Sequence, residues 1–174
     1  KRFISVFMVA ALVISALFMA GCSKKSVDEQ FKSDLMKGLS ARWAYSDKVD
    51  ASGEDKDKET YVVSVNSELD VISKYKDETF EDKELGDLAK EYIATLEASM
   101  KATEAYGEDD RFLAEWNAAR DDRIALLVEL QGKLKMEFSK DSEKKNFEEL
   151  IKEGETIVEV RKLMSNTVFN AVPD

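Results

Sequence analysis

The 174-residue chain has no histidine, one cysteine (Cys22), one proline (Pro173) and seven glycines. Without histidine there is no Ser-His-Asp or Cys-His mechanism, no imidazole general base and no histidine-containing zinc site. A single cysteine excludes an intramolecular disulfide. With proline confined to position 173, no pyrrolidine ring forces the interior of the chain out of helix. Basic charge is also in the minority, 26 Lys and Arg against 36 Asp and Glu, for a formal net charge of −10. The one long hydrophobic run is N-terminal, from Phe3 to Met19, interrupted only by Ser5 and Ser15.

That run follows the basic pair Lys1-Arg2, and no acidic residue occurs before Asp28. A positive start, an apolar stretch and small residues at its end describe an export signal. The end, Leu17-Phe18-Met19-Ala20-Gly21-Cys22, contains the only cysteine. Ala20-Gly21-Cys22 resembles the lipobox of bacterial lipoproteins, with Met19 standing where leucine is commonest. The resemblance implies a diacylglyceryl thioether on Cys22 and cleavage just before it. Residues 1–21 are then a signal peptide, 22–26 a lipidated tether and 27–174 the folded domain. An uncleaved membrane helix and a plain secretory signal are the competing readings of the same run. Two acyl chains hold far longer than one, so the expected location is the extracytoplasmic face of a cell membrane. By resemblance to the enteric sorting rule, Ser23 lacks the aspartate that favours inner-membrane retention. A Gram-positive surface lipoprotein is the favoured setting.

Removing residues 1–21 takes away two positive charges and no negative ones, lowering the formal charge from −10 to −12. Such a polyanion is repelled by nucleic acid and by anionic headgroups. Nucleic-acid binding is therefore not expected, and Lys24 and Lys25 offer only a local contact with lipid. About 150 residues make one domain with a real core, roughly half of what a two-lobed solute receptor needs.

Beyond the tether every apolar stripe has helical period. Ser26 caps a first helix to about Asp50, with Phe31, Leu35, Leu39 and Trp43 on one face. Residues 50–59 are a polar loop, and a second helix from Lys58 to Tyr75 carries Tyr61, Val65, Leu69 and Ile72. Phe80 precedes the N-cap Asp82 and is placed to staple onto the first turn of a third helix, with Leu85, Leu88, Tyr92, Leu96 and Met100 as its stripe. Gly107 ends that helix. A fourth, from Asp109 or Asp110 to about Phe138, turns Phe112, Trp116, Ala119, Ile124, Leu127, Leu130 and Leu134 inward. A fifth, after residues 139–144, uses Phe147, Leu150, Ile151, Ile157, Val158 and Met164. Short connections imply antiparallel neighbours, so the expected fold is all-α, an up-and-down bundle of four to five helices. Gly38, Gly86, Gly132 and Gly154 fall in or near the start of these helices, either at close crossings or at tolerant exposed positions.

Little in this pattern points to chemistry. The acidic clusters at 53–59 and 107–111 lack the alternating ligands of a calcium loop, and no metal or cofactor is expected. Paired carboxylates hydrolyse glycosides without histidine, but with 36 acids some pair at the right separation occurs in almost any fold. Trp43, Tyr45, Tyr75 and Tyr106 are candidates for an exposed aromatic surface at a bundle end, suited to a protein partner or a sugar. The alternative is that they cover loops and cap the core.

In general style the domain resembles the small helical surface lipoproteins of Gram-positive bacteria. The expectation is a non-enzymatic accessory or interaction module whose partners are the membrane, through Cys22, and an envelope protein or cell-wall component. A carrier or sensor of a small ligand or cell-wall fragment is the first alternative, with a cavity among Tyr61, Tyr92, Met100 and Trp116 as its signature. An envelope hydrolase using carboxylates is the second.

Overall fold

The computed structural model describes residues 25–53 and 55–170. The signal run and Cys22 lie outside the described residues. Among the described residues five α-helices follow one another: α1 Val27–Ser52, α2 Lys58–Ile72, α3 Lys83–Ala102, α4 Asp109–Leu134 and α5 Asp141–Asn170. Short 3₁₀ turns extend α2 (Ser73–Lys76) and α3 (Thr103–Ala105), and no strand occurs among the described residues. Neighbouring helices pack antiparallel as an up-and-down bundle, and a small contact between α1 and α5 brings first and last together.

The helix starts follow from local hydrogen bonding. Ser26 Oγ accepts the Glu29 amide at 3.2 Å, Asp57 Oδ1 the Thr60 amide at 2.8 Å, and Asp82 Oδ1 the amides of Glu84 and Leu85. Each satisfies donors that the first turn leaves without a helical partner. Asp28 adds a long-range tie, its carboxylate accepting the Glu81 and Asp82 amides at 2.9 and 3.0 Å. Gly53 and Gly107 close their turns at φ of +67° and +99°, a region open to glycine at little cost.

The core gathers Phe31, Leu35 and Leu39 from α1, Val65 and Ile72 from α2, Tyr92, Ile93 and Leu96 from α3 and Leu127 and Leu130 from α4, all fully buried. Phe80 sits edge-on to Phe31, ring centroids 5.4 Å apart, and covers Gly86. Two of the helical glycines mark close crossings. A Cβ on Gly38 stands 3.0 Å from Glu68 Cα, and one on Gly154 stands 2.8 Å from the Ile124 carbonyl oxygen, so α1 meets α2 and α5 meets α4 backbone to side. Gly132 faces open space and needs no such explanation.

Two expectations are corrected, and one open alternative is resolved for Tyr75. Helix α4 stops at Leu134, four residues before Phe138, because Lys135 turns left-handed at φ 50°. Gln131 secures that stop by accepting the Met136 amide on its side-chain oxygen at 2.8 Å, which folds Met136 into the core at 2% exposure. Val158 and Met164 do not face inward but are 40% and 64% exposed, since the second half of α5 lies beyond the faces that α1 and α4 cover. Of the two readings of Tyr75, an exposed aromatic or a cap on the core, the second describes its position: it is buried at 3% exposure, the 3₁₀ turn setting its ring edge-on against Phe31 at 5.2 Å.

Candidate functional site

Glu68 of α2 is the most deeply placed charge among the described residues, with no exposed surface. Close passage of Gly38 over Glu68 Cα brings α1 near enough for Arg42, one turn further on, to reach the carboxylate. Arg42 Nη1 donates to Glu68 Oε1, and Arg123 of α4 donates to the same oxygen through its Nη1 at 3.1 Å. The Tyr92 hydroxyl of α3 donates to Oε2 and accepts from Arg123 Nη1 at 3.3 Å. Four helices thus converge on one carboxylate.

Burial alone pushes the Glu68 carboxyl up, but the charges of Arg123 and Arg42 and the Tyr92 hydrogen bond outweigh it and hold it below the usual glutamate range. Burial also pulls Arg42 down, helped by the like charge of Arg123 and opposed by Glu68. For Arg123 burial acts in the same direction, yet Glu68 and Tyr92 leave it raised. A guanidinium keeps its proton through such shifts, so the buried group carries two positive charges and one negative. Tyr92, raised by burial and by Glu68, stays a neutral donor.

On their other side Arg42 and Arg123 form the floor of a cleft of about 300 Å³ between α1, α2, α4 and α5. Its aromatic walls are Trp43, Tyr45, Tyr61 and Trp116, with Tyr61 edge-on to Trp116 at 4.8 Å between centroids. Arg120 and Lys56 complete the basic side chains of the lining. No Asp or Glu occurs among the described residues that line it. Arg120 is held by both Glu153 oxygens at 2.7 Å, and Lys56 lies 3.3 Å from Asp50.

The four aromatic candidates do not form one surface. Trp43 and Tyr45 both line the cleft although they are two apart on one helix, and Trp43 also packs edge-on to Phe138 at 5.1 Å between centroids. Tyr106, 38% exposed, packs tilted against Tyr61 at 5.9 Å between centroids and donates to the Lys56 carbonyl at 2.9 Å, bracing the wall. Tyr75 belongs to a different place, donating to Asp34 Oδ2 at 2.8 Å. Of the four residues expected around an inner cavity, Tyr61 and Trp116 line the cleft, while Tyr92 and Met100 are not part of its lining.

Glu68, Arg42 and Arg123 were not singled out by sequence reasoning, though a signal existed. Glu68 falls between Val65 and Ile72 at steps of three and four, and Arg123 stands four before Leu127. A charge in a core slot needs a partner.

Among the described residues no group of three or more His, Cys, Asp or Glu is arranged to hold a metal ion, and no helix is long and apolar enough to cross a membrane. Comparison of the chain with protein family models, curated proteins and solved structures finds no match.

Proposed function

We propose that this chain is a lipid-anchored, extracytoplasmic helical-bundle protein of a bacterial envelope, fixed to the membrane through Cys22, and that it acts by binding rather than turnover. The export signal and Ala20-Gly21-Cys22 support the address. The observation that carries the binding reading is the cleft floored by Arg42 and Arg123, a concave site with aromatic walls and a few convergent polar groups, which is the usual make-up of a small-molecule site. This favours a ligand carrier or sensor over a module that only presents helix faces to an envelope protein.

Two measurements test the parts separately. Labelled palmitate enters the wild type in its host and not Cys22→Ala, which is released from the membrane; absence of label in the wild type removes the anchor. The natively anchored protein, crosslinked in living cells, is then analysed for small-molecule and protein adducts. Adducts on Tyr45, Tyr61 or the two tryptophans support the ligand reading. Adducts to a single envelope protein on the outer face of α5 transfer the proposal to a protein-interaction role.

A further inference from the structure

The cleft has a charge pattern opposite to that of the protein. Acids outnumber bases 36 to 26 in the chain, yet the described lining residues include four basic side chains and no acidic one. Two of the four are not surface residues with incidental charge. The Arg42 and Arg123 side chains are only 12% and 6% exposed, and holding guanidinium groups there costs desolvation that one shared carboxylate offsets only in part. Both spend Nη1 on the core side, toward Glu68 and Tyr92. Arg123 Nε, fully buried, has no hydrogen-bond acceptor among the described residues. A buried donor left in this way is uncommon and signals strain or function.

We infer that the cleft is a binding site for a small ring-bearing oxyanion, its carboxylate or phosphate group lying on the Arg42 and Arg123 guanidinium edges and its ring against Tyr61 and Trp116. This deepens the ligand-binding reading above and rests on it. The forked donors of arginine match two-oxygen anions, which a lysine floor does not reproduce. Glu68 acts as a positioning residue: it fixes both guanidinium planes from below and leaves their outer N–H edges to the ligand. The volume, about 300 Å³, suits a molecule of monosaccharide size. Aromatic faces pack on a sugar or aromatic ring. Arg120 and Lys56 at the rim are each neutralised by an acid, Glu153 and Asp50, so the positive charge that meets an anion is the net single charge of the Arg42, Arg123 and Glu68 group.

The assay is built into the chain, because its only two tryptophans, Trp43 and Trp116, both line the cleft. Full-length protein in detergent micelles is titrated with glucuronate and glucose 6-phosphate against glucose, and with benzoate against benzyl alcohol, following tryptophan emission and thermal midpoint. The expected result is saturable emission change with at least one anion, bound at least ~10-fold more tightly than its neutral counterpart, and weakening as salt rises from low to about 0.5 M. Arg42→Lys keeps a positive charge for Glu68 and lowers anion affinity ~10-fold, with the unfolding midpoint measured beside it to show that the variant is folded at the assay temperature. Arg120→Gln, a rim change that leaves the buried group intact, lowers it ~2- to 3-fold. If a neutral ring compound binds as tightly as its anion, the oxyanion inference is wrong while the cleft remains a binding site. If none of the five compounds alters emission or midpoint at 10 mM, the inference is also wrong, and the in-cell adducts decide the broader reading independently.

Discussion

Among the described residues two carboxylates, Glu68 and Asp34, are buried, and each is held by a tyrosine hydroxyl and two cations. Glu68 meets Tyr92, Arg42 and Arg123 at the centre, and Asp34 meets Tyr75, Lys37 and Lys74 where α1 faces the 3₁₀ turn. The difference is in the cations. The lysine side chains are 66% and 59% exposed, while the arginine side chains are 12% and 6% exposed. Lysine reaches in from solvent on a flexible stem and keeps its ammonium largely hydrated. Arginine, planar and weakly hydrated, tolerates removal from water but then depends on its partner. One arrangement is therefore a rim lock for local structure, and the other is a central charge knot whose parts cannot be removed singly.

The most severe way to break this contrast is Glu68→Gln. It leaves two buried guanidinium groups facing each other without a counter-charge, and loss of one partner from a buried ionic group costs ~3–5 kcal/mol. Urea unfolding of the variant beside wild type measures it. A cost no larger than that of Asp34→Asn removes the distinction between knot and lock. Gly38→Ala comes next, at ~1–3 kcal/mol, because the added methyl meets the Glu68 backbone at 3.0 Å and must push α1 away from α2. The same push withdraws Arg42, so this variant also changes tryptophan emission from the cleft. Gly132→Ala, where nothing lies within 4 Å, is the internal control and gains up to ~1 kcal/mol from helix propensity.

The fold was largely legible in the sequence because its information is local. Stripes such as Phe31-Leu35-Leu39 and Leu85-Leu88-Tyr92-Leu96 state their period within one helix, and Ser26 and Asp82 stand where first turns need acceptors. The end of α4 was not legible, since it depends on a left-handed Lys135 that Gln131 and the buried Met136 secure. The site was only half legible. Periodicity shows that Glu68 and Arg123 occupy core slots, but which cation meets which carboxylate depends on helix rotation and on how closely Gly38 lets two backbones approach. Periodicity leaves Tyr75 open between exposure and core capping for the same reason: its partner Asp34 is 41 residues away.

The gentler half of the comparison is reached with acid. Burial pushes the Asp34 carboxyl up, but hydrogen bonds from Lys37, Lys74 and Tyr75 outweigh it and bring it to about 2, against 3.8 for an unperturbed aspartate. A depressed carboxylate adds stability that is fully present above the unfolded value and is lost as pH falls through the folded one, so the loss runs from about pH 4 to pH 2. Because both lysines are more than half exposed, solvent screening reduces the contribution to ~1 kcal/mol. Asp34→Asn, which still accepts from Tyr75, removes that amount at pH 7 and flattens the acid limb of a stability profile. A limb unchanged by the substitution means that Asp34 contributes nothing through its charge.

The smallest effect sharpens the comparison most. Lys74→Met removes one of two hydrated cations from Asp34 and the ammonium 5.0 Å from the Tyr75 ring centroid, yet keeps a stem that packs on the same surface. Lys37 and the Tyr75 hydroxyl still hold Asp34, at 2.7 and 2.8 Å. The expected cost is below ~1 kcal/mol, the range of exposed ion pairs, and it shrinks further in high salt. Arg123→Met is the matching change at the centre. It also leaves one cation on its carboxylate, but with no water to compensate Tyr92 and the remaining charges. If the two methionine variants unfold at the same urea concentration, exposure of the cation is not what separates the two carboxylates. If they differ by several kcal/mol, burial of the guanidinium groups is the costly feature of this protein, and the proposed anion site on their outer edges is the function that such a cost would serve.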